Sequence, residues 1–199
     1  MPLMEPDAAS ARERILATAH ALFYRDGIRA TGVDRLIAQS GVTKVTFYRH
    51  FPSKDELVRA FLELRHRRWM AWFIDALGRR GADAPHAGLP LLAEVLQEWC
   101  DAPDFRGCAF VNTVVELADA LPETLAVARA HKAEMTEVIA QLLPDDASRE
   151  AAAQAAALAF DGAIVHAQMA ADAPGRRAAV ATLRRVLEAL EPERRAQRG

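Results

Sequence analysis

The residues best suited to chemistry lie close together between Thr43 and Lys54. Lys44, Arg49 and Lys54 carry positive charge, Thr43 and Thr46 carry hydroxyls, and Tyr48 and His50 are polar aromatics. No nucleophile in this stretch has a base set beside it. The set instead suits phosphate oxygens and base edges. Lysine and threonine address either, whereas Tyr48 and His50 donate to phosphates, which position a protein without reading sequence. Lys54 falls in the first turn of an expected helix, where free N–H groups favour an anion and a lysine opposes the helix dipole. A docked phosphate removes that conflict; a lysine extended into water is the alternative.

Short helices must position these side chains. Ser10-Ala11-Arg12-Glu13 has the form of a capping box. Ile15, Leu16, Ala19, Leu22 and Phe23 recur at helical spacing and Gly27 follows as a stop, so a first helix is expected over about 11–26. Thr31 is placed to cap a second helix carrying Val33, Leu36 and Ile37, ending near Ser40 before Gly41. Thr43 caps a third, with Val42 and Phe47 placed as a hydrophobic staple. Pro52 ends it by Phe51. Ser53-Lys54-Asp55-Glu56 opens a fourth. Two helices of about eight residues joined by a glycine turn are the sequence form of a helix-turn-helix. With Val42, Phe47 and Phe51 inward, Lys44, Val45, Thr46, Tyr48, Arg49 and His50 remain at or near the surface.

Composition narrows the class. The chain has 199 residues, of which 51% are hydrophobic and 26% charged, an ordinary globular balance. Net charge is −2, but residues 1–54 carry eight Lys/Arg against five acids, leaving the rest at −5. No apolar run approaches the roughly 18 residues of a membrane-spanning helix. No signal-peptide pattern opens the chain. Two cysteines are too few for a disulfide framework. These features lead to the expectation of a cytoplasmic protein without a membrane partner. The six histidines are dispersed, and neither C-x-x-C nor H-x-x-x-H occurs, so no metal and no cofactor is expected.

Residues 31–57, and above all Phe47-Tyr48-Arg49-His50-Phe51 followed by Lys54-Asp55-Glu56-Leu57, closely resemble the DNA-binding head of the TetR (tetracycline repressor) family. The resemblance covers about residues 10–60; beyond them only helical character and length agree. It departs at Val45, where members often carry a small residue such as glycine. The resemblance implies an all-α homodimer: a head over 1–53, a connecting fourth helix over 54–77, and a ligand-binding, dimerising body over 54–199. By position, Thr31, Thr43, Tyr48, His50 and Lys54 would contact phosphates, with Arg49 beside them. Lys44, Val45 and Thr46 would face bases. Half-sites on double-stranded DNA would form an inverted repeat about one helical turn or more apart.

In the body, Gly78 to Gly88 reads as a loop. Helices are expected over 89–100, 107–119, 122–143, 148–171 and 176–190, with Pro122, Pro144 and Pro174 at breaks. The alanine-rich 151–159 stretch, continued by Ala163 and Ala167, and the Val180, Leu183, Leu187, Leu190 stripe suit a four-helix dimer interface. Arg65-His66-Arg67-Arg68 reads as a solvated basic face. Candidate effector-lining residues are Trp69, Trp72, Phe73, Trp99, Phe105, Phe110, Asn112, Glu116, Met135, Phe160, His166 and Met169, set against plain core packing for each. Glu116, if buried, needs a partner. The aromatic surplus points to a small apolar or aromatic effector that releases a repressor from its operator. Two alternatives stand beside that reading. One is a thiol switch through Cys100 and Cys108; the other is an all-helical enzyme or carrier.

Overall fold

A computed structural model of the chain describes residues 10–83 and 88–191. Nine helices and no strand occur among the described residues: α1 Ala11–Asp26, α2 Val33–Ser40, α3 Lys44–His50, α4 Lys54–Asp83, α5 Leu91–Cys100, α6 Ala109–Leu117, α7 Glu123–Ala140, α8 Arg149–Met169 and α9 Ala173–Ala189. The chain divides into two compact units. One runs to Arg67 and takes in Ala109–Ala128; the other comprises Arg68–Cys108 and the chain from Arg129. The first unit is therefore not the first 53 residues alone. It includes α6, from the middle of the sequence.

The first unit is built from the caps and stripes that its sequence announces. The Ser10 hydroxyl accepts from the Glu13 N–H, and Glu13 accepts from the Ser10 N–H at 2.8 Å. Ile15, Ala19, Leu22 and Phe23 of α1 are buried, as are Leu36, Phe47, Leu57 and Phe61. Phe23 meets Phe61 edge-on at 5.4 Å, an arrangement aromatic quadrupoles favour. Thr43 caps α3, and the Ser53 hydroxyl accepts from the Glu56 N–H at 3.1 Å. Thr31 does not cap α2. Gly32 holds that position without a side-chain bond, because the Thr31 hydroxyl turns back to the Gly27 carbonyl.

In the second unit, α4 continues six residues past its expected end, through Gly78 and Gly81. Both glycines are helical despite their weak preference, and ion pairs flank them. Arg79 joins Asp75 and Glu98, each at 2.8 Å, and Arg80 joins Glu98 at 3.0 Å. Part of the expected loop, residues 84–87, lies outside the described residues. Pro174 lies within the first turn of α9 instead of before it, where its missing N–H costs nothing. The Asp172 side chain caps that helix by accepting from the Gly175 N–H at 2.8 Å. Ala153, Ala156, Ala157, Ala163 and Ala167 are buried within this single chain. Much of the small-residue surface expected at a dimer interface thus serves internal packing.

Asp26, at the end of α1, accepts from Arg25 and pairs with Arg35 of α2, each at 2.7 Å. The Arg25 hydrogen bond foremost, with help from Arg35, lowers the Asp26 carboxyl to about 2. A depressed folded-state pKa adds stability above the unfolded value, about 3.9, and that stability fades as pH falls toward the folded value. Asp26→Asn should therefore unfold at a lower denaturant midpoint than the parent at about pH 6, with the gap narrowing toward about pH 3. A gap absent at pH 6, or constant with pH, contradicts this reading.

Candidate nucleic-acid interface

Helix α3 presents a polar face because one ring anchors its other side. Phe47 is fully buried, and Tyr48 stands edge-on to it at 5.4 Å. Lys44, Val45, Tyr48 and Arg49 are exposed together, Val45 to 79% and Tyr48 to 41%. The Thr43 hydroxyl accepts from the Thr46 N–H at 3.1 Å and donates to the Thr46 oxygen at 2.9 Å. Thr46 keeps its own hydroxyl proton for an outside acceptor. His50 is half-buried at the end of the helix. The Arg12 guanidinium of α1 lies 5.1 Å from the centre of the Phe51 ring, just beyond α3.

Two residues expected at phosphates are placed otherwise. Thr31 is fully buried, and its hydroxyl donates to the Gly27 carbonyl at 2.7 Å. Its N–H is also used, donating to the Ile28 carbonyl at 3.3 Å. Thr31 is a building block of the α1–α2 turn. Lys54 reaches that same turn, donating to the Ile28 carbonyl at 2.6 Å. Burial lowers its pKa, against the opposing pull of Glu116 and Asp55.

Glu116 completes this arrangement, and the sequence did not reveal its role. Its Oε2 accepts from the Arg29 N–H at 2.8 Å, across 87 residues of chain. A β-carbon on Gly27 would lie 3.1 Å from the same carboxylate. Gly27 is also at φ +90°, so a side chain there is both strained and crowded. The α1–α2 turn thus rests on a carboxylate from α6 and an ammonium from α4. A carboxylate placed among expected ligand-lining residues is instead engaged by the head. No alternation or spacing near residue 116 marks it as the partner of residue 29.

Comparisons with known proteins agree with the geometry. Residues 15–61 match the family model described as bacterial regulatory proteins, tetR family. A TetR-type regulator from Streptomyces avermitilis is 32% identical, over 92% of this chain and 99% of its own, with a TM-score of 0.71. The chain belongs to the TetR family. SCO4454, a TetR-family regulator from Streptomyces coelicolor, is 28% identical over 96% of each chain, with a TM-score of 0.81. The TetR-family regulator CifR, in a cysteine-mutant form, was solved with a 26-bp double-strand operator; it is 20% identical and covers 93% of this chain and 99% of its own, at a TM-score of 0.71. Some matches are partial: the chain spans 55% and 54% of two curated regulators to which it is similar.

The second unit of this TetR-family chain holds a connected set of rings. Trp69 stacks on Phe73 at 4.7 Å and meets His131 at 5.0 Å, Trp99 at 5.7 Å and Trp72 at 6.1 Å. Phe105 continues the set from Trp99 at 5.3 Å, and Phe160 continues it from Phe73 at 5.8 Å. Met135 is buried in the same unit. His131, absent from the sequence-based selection, is a member because α7 buries it. His166 and Met169, also expected as lining, are exposed near the end of α8, outside this connected set. Phe110, Asn112 and Glu116 belong to the first unit, with α6. Arg65 of the basic cluster covers the Tyr24 ring at 4.1 Å, while Arg67 and Arg68 are exposed. Among the described residues no group of His, Cys, Asp and Glu is arranged to hold a metal, and no helix is long and apolar enough to cross a membrane.

Cys100 and Cys108 are both free and buried. Burial pushes the Cys100 thiol up to about 11, although Arg176 opposes the shift. A thiol so protonated at neutral pH is a poor nucleophile. Native protein should therefore lose Cys100 to iodoacetamide at about pH 7.5 at least tenfold more slowly than denatured protein. Equal alkylation rates would show a thiolate far more available than this site allows.

Proposed function

We propose that this TetR-family regulator is a homodimeric repressor that holds an inverted-repeat operator through α3 and releases it when a small apolar or aromatic effector binds. The observation that carries the reading is the outward face of Lys44, Val45, Tyr48 and Arg49 on a helix pinned by buried Phe47. Cations there neutralise phosphates, and rigid side chains reach base edges. CifR, similar in fold, was solved with operator DNA. On this reading Tyr48, Arg49, Thr43 and His50 position the head on phosphates, and Lys44, Val45 and Thr46 meet bases. Thr31 and Lys54 act indirectly, by fixing the turn.

Dimerisation is supported by an unpartnered stripe on α8. Leu158 is 74% exposed and Met169 67%, with Val165 between them and open space around Gly162. Val186 of α9 is a further exposed apolar residue. An isologous contact along these helices would bury them and relate two heads by a two-fold axis, matching an inverted repeat.

The aromatic set supports the effector. Trp69 Nε1 is buried without a hydrogen-bond partner, a deficit of about 1–3 kcal/mol that an acceptor on a flat ligand would relieve. Transmission follows the chain: α6 begins at Ala109, directly after the Arg68–Cys108 segment of the effector unit, and Glu116 near its end holds the α1–α2 turn. An effector favouring one placement of α6 would change the head, in proportion to its difference in affinity for the two states.

Selection from a random duplex pool tests the reading. The parent protein should enrich an inverted repeat, with affinity falling steeply as salt rises. Tyr48→Ala should weaken binding to that duplex about tenfold or more while preserving the order of preference among sites. No enrichment by the parent overturns the proposal.

A further inference from the structure

The exposed face of α3 contains one side chain that its own fold does not explain. Val45 is 79% exposed, and every other large side chain on that face carries a polar group. It lowers helix preference relative to alanine. As a β-branched residue in a helix it holds one preferred rotamer, so its two methyl groups form a stiff apolar knob. The residues around it are constrained. Thr43 and Thr46 are bonded to each other, Tyr48 is braced on Phe47, and Lys44 precedes it as a cation.

We infer that Val45 is a specificity-determining residue that reads the 5-methyl group of a thymine in each operator half-site. The inference rests on the proposed role of α3 as the DNA-reading helix and names what one of its residues recognises. In the major groove of duplex DNA the base edges offer acceptors, donors and one apolar feature, the thymine methyl. A stiff isopropyl group set against a hydrated donor or acceptor displaces water and returns no hydrogen bond. Set against a methyl, it buries apolar surface on both partners. The knob thus favours A·T pairs oriented with thymine beneath it and disfavours the other three pairs at that position. Thr46, with its hydroxyl oxygen held by Thr43, has one free proton to donate and discriminates less sharply.

The test uses the full-length protein and the inverted repeat that it selects. Each thymine is replaced in turn by uracil, which removes only the methyl. Binding is measured for the parent and for Val45→Ala, a change on an exposed helical site that leaves the buried side of α3 intact. One thymine position per half-site should show a loss of about four- to tenfold on uracil substitution with the parent. The same substitution should change affinity less than twofold with Val45→Ala. Equal uracil penalties in both proteins, or no penalty at any position, overturn the inference while leaving the DNA-binding reading intact. Failure of the parent to select any duplex overturns both.

Discussion

The head of this protein depends on a carboxylate that comes from elsewhere in the chain. Glu116 of α6 accepts the Arg29 N–H, crowds the position a Gly27 side chain would need, and attracts Lys54, which donates to the Ile28 carbonyl. Thr31 closes the same turn from within. These contacts set where α1 ends and α2 begins. Helix α2 packs against α3 through the common core, so the direction of the outward face of α3 follows from the turn. The compact unit accordingly contains α6 as well as the first helices. Hydrogen bonds to a charged acceptor are worth about 1.5–3 kcal/mol when shielded and less when exposed, as this one partly is. That is enough to hold a turn and little enough to be released.

Much of the architecture was legible in the residues. The Ser10–Glu13 capping box, the glycine at the end of α1 and the stripe Ile15, Leu16, Ala19, Leu22, Phe23 act over a few positions, and local rules read them correctly. The outward set on α3 followed from the burial of Phe47, itself a consequence of helical spacing. Where prediction and structure part, long-range contacts decide. Helix α4 runs on through Gly78, with Arg79 and Arg80 paired to Glu98 in α5. Thr31 resembles a cap by type, yet the Gly27 carbonyl takes its hydroxyl. Glu116 lies among apolar and aromatic residues in sequence, and only the fold brings it to Arg29.

The same limit applies to the second unit. Aromatic residues were visible by type, but which rings meet depends on helix packing. Trp69 is the hub, and His131 joins through α7. Met169 and His166 lie on an exposed side of α8. The alanines of α8 show how one composition serves two ends: some are buried within the chain, while Leu158 and Met169 remain outside for a partner on the proposed reading.

On the proposed reading, operator affinity depends on a residue that does not lie on α3. The most direct measurement is the affinity of Glu116→Gln and Glu116→Ala for the selected operator at fixed salt, beside their thermal unfolding. The glutamine keeps an acceptor for the Arg29 N–H but loses the charge that attracts Lys54; the alanine loses both. A graded loss of affinity is expected, reaching about tenfold for Glu116→Ala, or roughly 1.4 kcal/mol, with a thermal midpoint lowered by only about 2–4 °C. Operator affinity equal to that of the parent in both variants would contradict it.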